Sequence, residues 1–552
     1  MMHSRTPLRL LLALILSATV GAAGATPPEH VSARAVEAHT RFLADDLLEG
    51  RDTGTRGHEI AAAYVAAQFA LIGLEPGAPD GTWLQQVPVR RRSLEAEGAR
   101  LLLRTRSGDH VLRNGEDVAL DASAHETHET LAAELVFVGW GIDAPSLGLD
   151  DYRGLDVRGK AVVLLEGAPD NLPGSLRAHY SWIQQKERMA AAHGAVAVLT
   201  LKSPAREKVS PWDRTRRLRP LPAVSLAPEP TGDDRAIRAT VSVGPTAAEC
   251  LFRDAGHDLV RIYAAADARP PRGFPLGASV HIERRSRHED LKSPNVIGLL
   301  PGSDPNLADK PIVVIAHLDH VGVGPEVGGD AIYNGAVDNA GGVAVMIEAA
   351  RALAQGPRPR RPILFIAATG EEKGLLGSEY FAAHAGADID RIAAAISVDG
   401  LMAFHDFAAV VALGESHSTL GEISTRAAAS VGAVHAPDPI PERGNLALSD
   451  QYPFLRRGVP VLFPNPARGL TRSGAPDTAA WDDYERRRYH QPSDDMDLPL
   501  RWDVAARWTA YITELVRGAA DDPIGPAWYR DDPLADLFAP RRPRAGRPRS
   551  ID

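Results

Sequence analysis

His317-Leu318-Asp319, Asp338-Asn339, Glu371-Glu372, Asp399 and Tyr489-His490 set acids and imidazoles along the back half of a 552-residue chain. The first four groups each follow a run that reads as a buried strand or opens a helix. Carboxylates and imidazoles without cysteine suit a hydrolytic site for two zinc ions, which needs nitrogen and oxygen ligands and an open position for water. A two-metal site also needs one carboxylate that bridges ions about 3.5–4 Å apart. Asp338 suits that bridge, because Asn339, Ala340, Gly341 and Gly342 follow it and let backbone come close. Glu371 and Glu372 are adjacent and point different ways, so one is free to bind metal while the other handles a proton. Asp319 is expected to accept a hydrogen bond from the second nitrogen of His317. Each pair alone is a common surface pattern. Together, in order and on strand ends, they describe a metal site.

The elements that must carry these groups follow a strand–loop–helix rhythm from about Ser293. Strands are expected at Val296 to Leu300, Ile312 to Ala316, Ile363 to Ala368, Ala393 to Val398, Val410 to Leu413 and Val459 to Phe463. Helices are expected at Gly341 to Leu353, Gly374 to His384, Leu420 to Val431 and Asp503 to Val516. This alternation predicts an α/β fold, a mixed and mainly parallel sheet flanked by helices. Ligands bind beyond the carboxyl ends of such strands, where His317, Glu371 and Asp399 fall.

The rest of the chain divides around that core. Arg5 and Arg9 precede the apolar run Leu10 to Val20, and Ala23-Gly24-Ala25 suits a cleavage site, so residues 1–25 predict a signal peptide and an exported, periplasmic or secreted protein. No stable membrane insertion is expected after cleavage. Residues 30–124 carry two helices, Ser32 to Phe42 and Gly57 to Leu71, around the glycine-punctuated loop from Leu48 to Gly54, and then strands. Residues 125–275 look like a separate insertion, with strands near Leu135, Ala161 and Val196 and a helix from Ser181 to His193. The catalytic part resumes over 276–525. Residues 530–552, with Arg541, Arg542, Arg544, Arg547 and Arg549 among prolines, predict a disordered basic tail. A net charge of -10 with no basic helix speaks against nucleic acid as a partner. Cys250 is the only cysteine, so no internal disulfide forms, and a buried, inert thiol is expected there.

The segments LLEGRDTGTRG, AHLDHVG, NGAVDNAGG, TGEEKGLLGS, SVDG, SDQYPFLRRGVP and YHQPSDD resemble the bacterial leucyl aminopeptidase and transferrin-receptor-like family of di-zinc exopeptidases. VFVGWGI and HGAVAVL in the insertion resemble that family's β-rich protease-associated domain. The resemblance runs from about residue 40 to 500 and implies the zinc exopeptidase fold with two Zn2+ per chain. By that pattern His317 and Asp399 bind one zinc, Glu372 and His490 bind the other, and Asp338 bridges. Glu371 becomes the general base and acid, Asp319 the partner of His317, and a non-proline cis peptide is implied at Asp338-Asn339. Gln451 stands where relatives often carry histidine, Leu446 and Ala447 offer no oxyanion-stabilising side chain, and His320 is left as a wall residue. The implied activity is zinc-dependent aminopeptidase action on peptides with a free N-terminus. A carboxypeptidase, a glutaminyl cyclase or a non-catalytic binding protein on this scaffold are the alternatives.

Overall fold

The computed structural model describes residues 31–218, 221–227, 236–266, 271–440 and 444–548. The leader expected at residues 1–25 lies outside them. Helix α1 (Ala33–Leu43) opens on Ser32 and α2 (Arg56–Ile72) on Thr55, each cap side chain accepting a main-chain N–H of the first turn. Strands β1 (Leu84–Thr105) and β2 (Val118–Leu120) follow, then β3 (His128–Phe137) and β4 (Ala161–Leu165). Next come helix α3 (Ile183–Ala192), β5 (Ala197–Leu201), the short helices α4 (Pro204–Val209) and α5 (Trp212–Leu218), and β6 (Ala239–Val243). Strand β7 (Phe274–Leu300) leads into β8 (Ile312–His317), α6 (Gly341–Gln355), β9 (Ile363–Ala368) and α7 (Leu376–His384). The series closes with β10 (Ala394–Ser397), β11 (Ala409–Leu413), α8 (Leu420–Ser430), β12 (Val434–His435), β13 (Val461–Pro466), α9 (Trp502–Asp521) and α10 (Pro533–Phe538).

One sheet runs β12-β11-β13-β10-β8-β9-β7-β3-β4-β5-β6-β2. Strands β9, β8, β10 and β13 are parallel, and so are β3, β4, β5 and β6. Strand β7 joins the two blocks by pairing antiparallel with both: residues 296–300 meet β9 and residues 274–285 meet β3. The expected α/β architecture is therefore present as a mixed, mostly parallel sheet. The junction expected between residues 275 and 276 falls inside β7, so the strand is continuous across it.

Every residue of β8 is buried, so both faces of the sheet need cover. Side chains alternate across a strand. Ile312, Val314 and Ala316 join a core with Val36, Val343, Trp508 and Leu515 from α1, α6 and α9. Val313 and Ile315 point the other way, into a core that includes Phe381, Tyr452, Phe454, Trp528 and Leu534. That second core continues through Leu135, Val163 and Leu199 of the 125–275 segment.

Three expectations need correction. The tail from residue 530 is not disordered through residue 548: α10 forms there, Arg544–Ala545 pairs with Trp528–Tyr529, and Leu534 is fully buried. Its proline and arginine content hid the few apolar residues that dock it. The helix expected from Ser181 to His193 breaks at Trp182, whose extended backbone separates Gly174–Ser181 from α3. Cys250 is half-buried, with its sulfur 3.1 Å from an Arg253 nitrogen. Among the described residues no helix is long and apolar enough to cross a membrane. Leu534→Ala is expected to destabilise the protein by about 2–5 kcal/mol, the usual result of emptying a buried leucine site. Denaturant unfolding measures it, and an unchanged midpoint would show that α10 contributes nothing.

Candidate metal centre

The chain delivers the donors where the parallel strands end. His317 is the last residue of β8, Glu371 and Glu372 lie just past β9, and Asp399 lies two residues past β10. Asp338 comes from the turn before α6 and His490 from the turn after Tyr484–Arg488. His317 Nε2 sits 3.1 Å from Asp338 Oδ1 and 3.2 Å from Asp399 Oδ1. His490 Nε2 sits 3.1 Å from both Asp338 Oδ2 and Glu372 Oε2. Two donor triads thus share the carboxylate of Asp338, one through each oxygen.

These donors fit a pair of cations. Ligand atoms about 2.0–2.1 Å from one tetrahedral zinc lie about 3.3 Å apart, close to the separations here. The side chains of Asp338 and Glu372 are buried, and clustered carboxylates are costly to desolvate without positive charge. Apart from the two histidines, the nearby lysine and arginine are committed elsewhere. Lys373 pairs with Asp52 at 2.9 Å, and Arg51 donates to the carbonyls of Leu318, Asn334 and Gly335. Glu372 Oε1 is buried without a hydrogen bond, although His320 Nδ1 lies 2.7 Å away. A cation at each triad would complete these shells.

Electrostatics in the cluster follow from burial and like charge. Burial alone would lower His317, but Asp399, Glu371 and the hydrogen bonds to Asp338 and Asp399 hold it well above its ordinary value. Burial likewise opposes protonation of His490, yet Glu372 and Asp338 push it up to about 10. Glu371 is raised well above the carboxylate range by burial foremost, with Asp399 and Glu372 adding to it and His317 opposing.

The supporting contacts explain how the donors are held. His317 Nδ1 donates to the main-chain oxygen of Asp319 at 3.1 Å, which leaves Nε2 free as the ligand nitrogen. The expected bond to the Asp319 carboxylate is therefore corrected. That carboxylate instead accepts from Thr53 Oγ1 at 3.1 Å and from the Glu371 N–H at 3.0 Å, so it positions the glutamate loop. Asn339 brackets Asp399: its Nδ2 donates to Val398 O and its Oδ1 accepts from Gly400 N–H, both at 3.0 Å. A Cβ on Gly342 would stand 1.9 Å from Asn339 Oδ1, so only glycine fits there. The Asp338–Asn339 peptide is cis, as the resemblance implies. Asp494 accepts from Val337 N–H at 2.9 Å, Asp338 N–H at 3.2 Å and the Tyr484 hydroxyl at 3.1 Å.

All seven expected residues, His317, Asp319, Asp338, Glu371, Glu372, Asp399 and His490, converge here. Gln451 does not join them; it is buried and donates to Leu446 O at 2.8 Å. His320, expected as a wall residue, has Nδ1 2.7 Å from Glu372 Oε1 and 4.0 Å from Asp338 Oδ2, and with these two acids it forms a further group of possible donors. Thr53, Arg51 and Asp494 went unassigned in the sequence. Their only signal there was membership of the segments LLEGRDTGTRG and YHQPSDD. A cavity of about 420 Å³ opens over Asp338, Glu371, Asp399 and His490, with Met402, Leu413, Ile440, Phe463 and Trp481 as apolar wall. Arg206 and Arg214 of the 125–275 segment also line it.

Zinc at about 100 times its dissociation constant is expected to add about 2.7 kcal/mol of stability per site. Calorimetry of chelator-treated and zinc-replete protein measures this. Coincident melting midpoints would mean that these donors hold no ion.

With this geometry in hand, likenesses to known proteins take on meaning. Residues 295–516 match the model of peptidase family M28. Aminopeptidase NAALADL1 of Mus musculus is 34% identical over 117 residues, which is 20% of this chain and 14% of that protein. The match therefore spans a small part of the curated relative. The aminopeptidase from Aneurinibacillus sp. strain AM-1 shares 18% identity at a TM-score of 0.51, over 88% of this chain and 94% of its own. BSAP, a zinc aminopeptidase from Bacillus subtilis, shares 18% identity at a TM-score of 0.46, over 93% and 99%. The Aneurinibacillus likeness shows a common fold. The stretch that the model of peptidase family M28 matches contains all five candidate ligands together with Asp319 and Glu371.

Proposed function

We propose that the protein is a zinc-dependent aminopeptidase that removes N-terminal residues from peptides. The observation that carries this reading is the pair of donor triads sharing Asp338, with Glu371 beside them in the same cavity. His317 and Asp399 would hold one ion, Glu372 and His490 the other, and Asp338 both. Two zinc ions so held would supply Lewis acidity toward the scissile carbonyl and a lowered pKa for the attacking water.

The chain's own residues account for the other steps. The acidic end of the cavity attracts the substrate's ammonium group, and the apolar wall around Met402, Leu413 and Phe463 receives the first side chain. With positive charge at the two triads to oppose the upward push of burial and acidic neighbours, Glu371 would be ionised, and its carboxylate takes a proton as water oxygen bonds to the carbonyl carbon. It then delivers that proton to the amide nitrogen as the C–N bond breaks, releasing a free amino acid and a shortened peptide. The carboxylate of Asp319, bonded to the Glu371 N–H, keeps the base in place. The 125–275 segment is read as a protease-associated module and residues 1–25 as an export signal, which would set this chemistry on peptides outside the cytoplasm.

Glu371→Gln is expected to retain two zinc ions by elemental analysis while turnover of aminoacyl-nitroanilides falls by about 10²–10⁴-fold. Near-normal turnover would remove Glu371 from the mechanism. A single zinc per chain in the unaltered protein would favour the cyclase alternative.

A further inference from the structure

The turn that carries His490 is gripped from outside the family-matched part of the chain. His490 has a left-handed backbone, φ 55°, which a side chain with a Cβ rarely adopts unless its surroundings impose it. Its carbonyl oxygen accepts from Gln491 Nε2 at 2.7 Å. The other end of that amide, Oε1, accepts from Arg217 Nη1 of α5. A guanidinium has only donors, so it selects the amide orientation that turns the Gln491 NH2 group toward His490. One helical turn earlier, Arg214 Nη2 donates to Glu485 O at 3.1 Å. The Arg214 guanidinium also lies 5.2 Å from the centre of the Tyr489 ring, which stacks on the His490 imidazole at 3.9 Å.

Helix α5 is itself fixed to the 125–275 segment and its surroundings. Lys202, just past β5, donates to Thr215 Oγ1 at 2.7 Å and Ser210 O at 2.9 Å. Trp212 donates through its indole to Glu116 O at 3.2 Å and through its N–H to Glu207 Oε1 at 2.7 Å. The grip therefore has an anchored base.

We propose that Arg214 and Arg217 are positioning residues that set the His490 imidazole, so that the 125–275 segment helps build the metal position shared by His490, Glu372 and Asp338. The inference rests on His490 being a zinc ligand. It predicts an asymmetry that a merely structural helix would not give: loss of the two guanidinium groups weakens one metal position and spares the one built by His317 and Asp399.

Zinc titration of the full-length protein against a chromophoric chelator tests it, with metal-free melting midpoints recorded as a check on folding. In the double variant R214A/R217A one ion should bind as in the unaltered protein. The second should bind roughly 10–100-fold more weakly, as when other outer partners of metal ligands are removed. R217A alone should show part of the effect, and R217K should recover some of it. Substitution of the exposed Asp213–Arg216 pair on the same helix, D213A/R216A, should leave both affinities unchanged. Two unchanged affinities in R214A/R217A, or equal weakening in D213A/R216A, would overturn the proposal. Failure of the unaltered protein to take up zinc would instead overturn the reading of His490 as a ligand.

Discussion

A cluster of carboxylates that needs positive charge beside it is the constraint on which the rest of the structure turns. Asp338, Glu372, Asp399 and Glu371 meet beyond the ends of three parallel strands, at the floor of the cavity. Two imidazoles face them, and the buried guanidinium of Arg51 spends its donors on main-chain carbonyls. These carboxylates hold both imidazoles above their ordinary range, so the histidines carry charge that cations at the two triads would share. The loops around the cluster are tied down through their backbones as well as by apolar packing, with Leu318, Ala336, Val398 and Leu401 in the core.

Those ties form one connected frame. The carboxylate of Asp319 holds the Glu371 loop, the amide of Asn339 holds the strand end bearing Asp399, and Asp494 holds the backbone of Val337 and Asp338. Arg51, from a loop nearly three hundred residues upstream, joins the chain after His317 to the chain before Asp338. Each supporting group is an outer partner of a donor or of its backbone, and in metal sites the loss of such a partner costs about 10–100-fold in affinity. The contacts made by α5 extend the same frame to His490.

The long strand β7 explains how the 125–275 segment takes part in this frame at all. One of its ends pairs in the parallel block that carries the donors, and the other pairs with β3 in the second block. The apolar core under β8 runs on into that second block through Leu135, Val163 and Leu199. Arg206 and Arg214 thereby reach the wall of a cavity whose floor is built far away in sequence.

Local pattern was enough for much of this. Continuous apolar runs marked β8, β9 and β10, and the acids and histidines just past them could be named as donors, because strand ends point side chains to one edge of a parallel sheet. Small residues after Asp338 signalled close approach, and the space around Gly342 bears that out. Pattern failed where the decisive contact was remote. It gave the His317 partner as the Asp319 carboxylate, whereas backbone geometry puts the main-chain oxygen there and sends the carboxylate to Thr53 and Glu371. It gave disorder for a tail that a few apolar side chains dock through Leu534 and Trp528. Residue type and spacing determined which groups could do chemistry, since those depend on neighbours along the chain. Which partner each group meets was decided by tertiary structure alone, because hydrogen bonds and burial depend on segments that only folding brings within 3 Å.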